Sequence, residues 1–329
     1  MANINLTGIK PTGIPHIANY FGALKPFIDL ANNSDNSMIF IADYHALNTI
    51  KDASKLKELT FEVACILLAC GLDTNKTIIY KQSDVPQVFE LQWILNNVTP
   101  KGLLNRAHAY KSVLDTNRQN GTDDDFGVNM GLFNYPVLMA ADILLMDATK
   151  VPVGVDQKQH VEITKEIVRV FNNTYGQTLT MPECSIIEDV GLIPGLDGRK
   201  MSKSYGNIIE LICPENELKK KINRIITNSQ LPGEAKDINC ALFNFYKLFA
   251  SKEELQNMKK LFQQGIGWGE AKKMTFEVAN KYLTPIREKY NYYKNNKKLV
   301  LEILDNGAQK ARIIANKTLN KVHKSIGKL

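Results

Sequence analysis

Apolar and polar positions set up a strand–helix rhythm in the first half of the chain. Residues 4–7 read as a short strand, and residues 8–13 (Gly-Ile-Lys-Pro-Thr-Gly) as a turn. A helix is expected from about residue 16 to residue 31. Residues 37–41 (Ser-Met-Ile-Phe-Ile) form a buried-strand run. Leu56, Leu59, Val63, Ile66, Leu67 and Cys70 then recur at helical spacing, and Gly71 supplies a stop. Residues 77–80 make a third strand. This alternation predicts an α/β fold: a doubly wound parallel sheet with right-handed crossovers. Residues 85–131 break the rhythm and read as a helical insertion with a polar loop at 117–125. A mainly apolar helix follows at 136–146, then a strand at 150–155 and a helix at 156–171. After a Gly-rich loop at 191–203 the pattern is helical to the end, carried by residues 216–226, 241–249, 255–262 and 299–304. The expected division is a sheet domain over residues 1–193 and an all-helical region over 194–329, whose last helix packs back on the sheet domain.

Charge sharpens this division. Residues 1–214 hold 18 Lys/Arg against 23 Asp/Glu, whereas residues 215–329 hold 23 against 11. A basic C-terminal third points to a polyanionic partner; a lysine-rich solvated surface is the competing reading. No apolar run reaches the roughly 18–20 residues that span a bilayer, so no membrane partner is expected. The first residues lack the basic start and apolar stretch of a secretory signal. Cys65, Cys70, Cys184, Cys213 and Cys240 form no C-x-x-C pair or His/Cys cluster, so neither a metal site nor a disulfide framework is expected. Reduced thiols fit a cytoplasmic location.

Two segments carry candidate chemistry. Ligands of open parallel sheets gather beyond the carboxyl ends of the strands. The turn at residues 8–13 lies there, followed by a helix start with free N–H groups. Lys10 adds a cation and His16 a donor at the helix entry. The second segment, Gly195-Leu196-Asp197-Gly198-Arg199-Lys200-Met201-Ser202-Lys203-Ser204, places three cations and two hydroxyls in a loop flanked by glycines. It is not a Walker loop. Clustered lysines there suit a leaving pyrophosphate, whose charge grows in the transition state.

Lys200-Met201-Ser202-Lys203-Ser204 is identical to the KMSKS signature of class I aminoacyl-tRNA synthetases, and Pro15-His16-Ile17-Ala18-Asn19 stands where that class has its HIGH-type motif. With residues 135–144 (Tyr-Pro-Val-Leu-Met-Ala-Ala-Asp-Ile-Leu) and 151–160 (Val-Pro-Val-Gly-Val-Asp-Gln-Lys-Gln-His), the whole chain resembles the bacterial-type tryptophanyl-tRNA synthetases. The resemblance implies a Rossmann-like catalytic domain and a helical region that binds the tRNA anticodon arm. It places ATP across Lys10, Pro11, Thr12, Ala18, Asn19, Gly154, Val155, Asp156 and the loop Lys200, Met201, Ser202, Lys203, Ser204. Asp156 is expected at the ribose and backbone near Val190 at adenine. His16, Lys200, Lys203 and Ser204 are the expected catalytic residues. Two departures stand out: Ala18 replaces a glycine of the HIGH-type motif, and Lys10 replaces a glutamine common in one branch.

Substrate choice turns on hydrogen bonding. Indole has one N–H donor and no acceptor, so its pocket needs a buried acceptor in an apolar slot. Asp142, inside the apolar run 138–145, supplies one. Met139 shares its helical face, and Val151 and Val153 point to one side of the neighbouring strand. The resemblance adds Leu6, Gly8, His45 and Tyr135, and assigns Gln157 to the α-amino and carboxylate end. Tyrosine is the close competitor, since tyrosyl enzymes share the fold, but Gly154-Val155-Asp156-Gln157-Lys158-Gln159-His160 follows the tryptophanyl pattern. The activity implied is ATP-dependent formation of tryptophanyl-adenylate, then transfer to tRNA(Trp), with Mg²⁺ held mainly by the phosphates and the chain a homodimer. A non-catalytic RNA-binding or regulatory relative is the alternative; it need not keep Lys200, Lys203 and Ser204.

Overall fold

The computed structural model describes residues 3–34, 36–154, 157–186 and 192–328. Five parallel strands form the sheet: β1 (Asn5–Ile9), β2 (Ser37–Ile41), β3 (Thr77–Lys81), β4 (Lys150–Val153) and β5 (Glu183–Ile186), in the order β3-β2-β1-β4-β5. The order reverses direction between β1 and β4, which makes their boundary the topological switch point. β1 pairs with β2 over its whole length, Asn5 opposite Ser37 to Ile9 opposite Ile41, but with β4 only at Asn5 opposite Lys150. Further along, the Thr7 hydroxyl donates to the Pro152 carbonyl at 2.8 Å.

Strand alternation sends side chains to two apolar faces. Ile39 and Ile41 face a cluster with Ile17, Val63, Met201 and Leu283. Leu6, Met38 and Phe40 face another with Val137, Val161 and Ala311. The first face is covered by α1 (Ile17–Asn19), α2 (Lys25–Asn32) and α4 (Ala53–Ala69), with a π-helical turn, Tyr20–Leu24, joining α1 to α2. α3 (Asp43–Ala46) is the short turn after β2. The insertion between β3 and β4 holds α5 (Gln87–Asn96), α6 (Lys101–Leu104), α7 (His108–Gln119) and α8 (Met130–Leu145), and α9 (Lys158–Tyr175) follows β4. Beyond β5 come α10 (Glu215–Asn223), α11 (Ala241–Tyr246), α12 (Lys252–Gln263), α13 (Trp268–Asn295) and α14 (Lys297–Ser325).

The last two helices return to the sheet domain. On α13, Lys294 lies 2.6 Å from the buried Glu62 carboxylate of α4, and the Tyr290 hydroxyl donates to the same group. α14 lies along β3, the edge strand, where a helix hides unpaired backbone. The approach depends on Gly307: a Cβ there would stand 1.8 Å from the Ile79 carbonyl oxygen. Arg312 of α14 donates to the Asp84 carbonyl at 2.8 Å. Gly307→Ala must push the helix off the strand. A loss of about 1–3 kcal/mol in stability is expected, read by denaturant unfolding; an unchanged midpoint would contradict this packing.

Several boundaries differ from the sequence reading. β1 continues through Gly8 and Ile9, which pair with Phe40 and Ile41, so the turn starts later than expected. α8 begins at Met130, before Pro136, because the Asn129 side chain caps it by accepting from the Leu132 N–H at 2.9 Å. α7 runs into the expected polar loop as far as Gln119; buried Asn117 donates to the Asp124 and Phe126 carbonyls and closes that loop. β5 was not foreseen: Glu-Cys-Ser-Ile lacks an apolar run, and pairing with β4 defines it. The expected strand end at residue 155 and helix start at 156 lie outside the described residues.

Candidate functional site

Because β1 and β4 separate after one paired position, a crevice opens between their carboxyl ends. A cavity of about 360 Å³ occupies it, a size typical of small-molecule sites. Leu6, Gly8, His45, Tyr135, Met139, Val151, Val153 and Gln157 all line it, as do Lys10 and Gly154. The first eight are residues expected around the amino acid, Lys10 and Gly154 are residues expected at ATP, and Asp142 is not part of the wall. Gly8 is required sterically: a Cβ would stand 2.5 Å from the Phe40 ring, itself part of the wall. Gly8→Ala should drive Phe40 into the cavity and weaken amino-acid binding about tenfold; calorimetric titration checks this, and unchanged affinity would contradict it.

Asp142 is 3% exposed and stands behind the cavity wall rather than in it, bonded to His45, which does line the cavity, and to Gln82. His45 Nε2 lies 2.9 Å from its Oδ2, and Gln82 Nε2 donates to both carboxylate oxygens at 2.9 Å. Acceptance by the carboxylate places the His45 proton on Nε2. Burial raises the Asp142 pKa, and the bonds from His45 and Gln82 oppose that rise. Gln82 is 1% exposed and its Oε1 accepts from the Tyr44 N–H at 3.2 Å, so it is locked between α3 and Asp142. The sequence reading missed Gln82. Its signal was position: it directly follows β3, at the strand end where ligands of parallel sheets gather.

The phosphate side is built by two loops tied together. The Ile17 N–H donates to the Ile209 carbonyl and the Leu211 N–H to the Pro15 carbonyl, both at 2.9 Å. This brings the segment after the 200–204 loop against the start of α1. His16 is the N-cap of α1: its Nδ1 accepts from the Asn19 N–H at 3.2 Å, and Asn19 Oδ1 accepts from the His16 N–H. Nδ1 is therefore an acceptor and Nε2 carries the ring proton. Burial lowers the His16 pKa, Lys203 lowers it further and Glu210 opposes them. The neutral ring is thus an Nε2–H donor near neutral pH.

Lys203 reaches over the first turn: a Cβ on Gly13 would stand 3.0 Å from its Nζ. Lys203 and Lys10 are both exposed at the surface, yet partial burial of each ammonium lowers its pKa; a nearby anion would favour the charged form of both. Met201 is 2% exposed and anchors the loop in the core, while Lys200 and Ser204 are exposed. The Ser202 hydroxyl accepts from the Ser204 N–H at 3.3 Å. Pro11 is buried and Thr12 exposed in the first turn, where the Thr12 N–H donates to the Lys10 carbonyl. Ala18 packs partly against the core. Val155, Asp156 and Val190 lie outside the described residues.

The family model of the class I tRNA synthetases for tryptophan and tyrosine matches residues 2–300. A tryptophan–tRNA ligase of Neisseria meningitidis is 47% identical over 325 residues, 98% of this chain and 97% of that protein. This chain belongs to the tryptophanyl-tRNA synthetases of class I. The tryptophan–tRNA ligase of Pseudomonas aeruginosa is 46% identical over 98% of this chain and 73% of its own length. Among solved structures, the tryptophanyl-tRNA synthetase of Campylobacter jejuni, complexed with ADP and tryptophan, superposes with a TM-score of 0.90 at 43% identity, covering 98% of this chain and 99% of that one. A tyrosyl-tRNA synthetase of Archaeoglobus fulgidus, 18% identical with a TM-score of 0.63 and covering 88% and 90% of the two chains, shares the fold. The synthetase described here thus carries the doubly wound sheet of its class, with its cavity at the switch point.

Proposed function

We infer that the protein activates L-tryptophan with ATP, giving tryptophanyl-adenylate and pyrophosphate, and then transfers tryptophan to the 3′ end of tRNA(Trp). The observation that carries this reading is an apolar cavity at the β1/β4 switch point that Lys10 also lines, in a chain 47% identical along its length to a tryptophan–tRNA ligase. The indole ring lies among Leu6, Met139, Val151 and Val153, with Tyr135 at its border. A carboxylate offers about four lone-pair sites. His45 and Gln82 use three at Asp142, leaving one for the indole N–H. Gln157 faces the α-amino and carboxylate end.

ATP lies across Lys10, Pro11, Thr12, Ala18, Asn19 and Gly154, with the 200–204 loop over its phosphates. The tryptophan carboxylate is already ionised and attacks the α-phosphorus in line, so no general base is needed. Catalysis is positioning plus charge stabilisation. His16 donates from Nε2, Lys200 and Lys203 take the growing charge on pyrophosphate, and the Ser204 hydroxyl adds a donor. Among the described residues no group of three His, Cys, Asp or Glu side chains could hold a metal ion. Glu210, the carboxylate felt by His16 and Lys203, is engaged by Lys221. Mg²⁺ is read as part of the nucleotide substrate, where phosphate oxygens and water would ligate it.

The helical region 194–329 carries the basic excess and is the anticodon-binding part. No helix among the described residues is long and apolar enough to cross a membrane. Trp93 on α5, 70% exposed, and Phe126 and Met130 before and at the start of α8 are apolar groups facing solvent. They support a homodimer formed through the inserted segment. Charging of tRNA(Trp) with labelled amino acids tests the reading: ATP-dependent acceptance of tryptophan is expected. RNA binding without charging would favour a non-catalytic relative, and acceptance of tyrosine would overturn the substrate.

A further inference from the structure

The 200–204 loop presents its lysines from an irregular backbone, and the bonds that shape it converge on one side chain outside the motif. Asn207 is 3% exposed. Its Nδ2 donates to Asp197 Oδ1 at 2.7 Å and to the Lys200 carbonyl at 3.1 Å, and its Oδ1 accepts from the Ser202 N–H at 2.9 Å. Its own carbonyl accepts from the Leu196 N–H at 2.9 Å. One amide thus spans the entry of the loop, its centre and its exit. The space is tailored: a Cβ on Gly195 would stand 2.4 Å from the Asn207 amide. Asp197 is itself fixed by Arg199, whose Nε donates to Oδ2 at 2.7 Å and whose guanidinium lies over the Tyr205 ring at 4.5 Å.

We propose that Asn207 is a positioning residue for activation: its amide holds the backbone at Lys200 and Ser202 in the shape that aims Lys200 and Lys203 at the leaving pyrophosphate. The inference rests on the activity proposed above. Its side-chain bonds all fall within residues 197–202, so its loss should deform the loop and leave the tryptophan cavity alone. Asparagine is the residue type this requires, because both a donor and an acceptor are used at once. Aspartate has nearly the same volume but no donor, and it sets a second anion against Asp197.

The test compares the wild type with Asn207→Asp and with the double variant Asp197→Asn/Asn207→Asp in tryptophan-dependent ATP–pyrophosphate exchange, with tryptophan affinity measured by calorimetry. A displacement of about 1 Å in a catalytic group costs about a hundredfold in rate, so Asn207→Asp should lower kcat about a hundredfold and leave tryptophan affinity unchanged. The double variant reverses the Asp197–Asn207 bond and keeps an acceptor for the Ser202 N–H, so it should recover about tenfold of that loss. Wild-type kcat in Asn207→Asp would overturn the proposal. So would an equal loss of tryptophan affinity with no recovery in the double variant, which marks general unfolding. Absence of exchange in the wild type would instead remove the underlying activity, and this role with it.

Discussion

Lys203→Ala is expected to slow tryptophan-dependent ATP–pyrophosphate exchange about 10²–10³-fold while tryptophan affinity stays unchanged. The Lys203 ammonium lies over the Gly13 turn, beside the neutral His16 ring. Its side chain is exposed and its pKa is only lowered by partial burial, so the ammonium is free to meet an arriving phosphate. As the bond to the α-phosphorus breaks, negative charge accumulates on pyrophosphate, and the interaction strengthens in the transition state more than in the ground state. The loss should therefore appear in kcat. Lys203 lies over the Gly13 turn, on the phosphate side, which is why binding of tryptophan is spared. An unchanged exchange rate would remove Lys203 from the chemistry; a purely KM effect would make it a binding group only.

Asp142→Ala is expected to weaken tryptophan binding about a hundredfold or more and to leave ATP binding intact. On the proposed function, removing the carboxylate takes away the acceptor for the indole N–H. It also orphans His45 Nε2–H and Gln82 Nε2, both buried and both now bonded to it at 2.9 Å. Each unpaired buried donor costs about 1–3 kcal/mol. The distinction from a plain folding defect is specificity: the ratio of tryptophan to tyrosine use should fall, since the site loses the one group that tells an N–H donor from other rings. Unchanged tryptophan affinity would show that the carboxylate serves only His45 and Gln82.

The sequence displayed much of this architecture because buried parallel strands are nearly continuous apolar runs. β2 is buried at all five positions, and its limits match the Ser-Met-Ile-Phe-Ile run. β5 was hidden because Glu183 and Cys184 give no such run, and its identity comes from pairing with β4. Gly8 and Pro136 misplaced two boundaries. A glycine inside β1 looks like a turn until the Phe40 ring beside it is seen, and a proline inside α8 looks like a helix start until the Asn129 cap is seen. The burial of Asp142 was legible because it sits within an apolar helical run. Gln82 and Asn207 were not, because their partners lie 60 residues away for Gln82 and in irregular loop backbone for Asn207. Gly307 belongs with them: its need for a missing Cβ exists only where α14 meets β3.

The cavity, backed by the buried Asp142 carboxylate, is proposed to select tryptophan for adenylation. ATP–pyrophosphate exchange by the purified protein, with tryptophan and tyrosine supplied in turn, decides it. Rapid exchange with tryptophan is expected, and at least about a hundredfold less with tyrosine. Exchange of similar rate with both amino acids, or none with tryptophan, would contradict it.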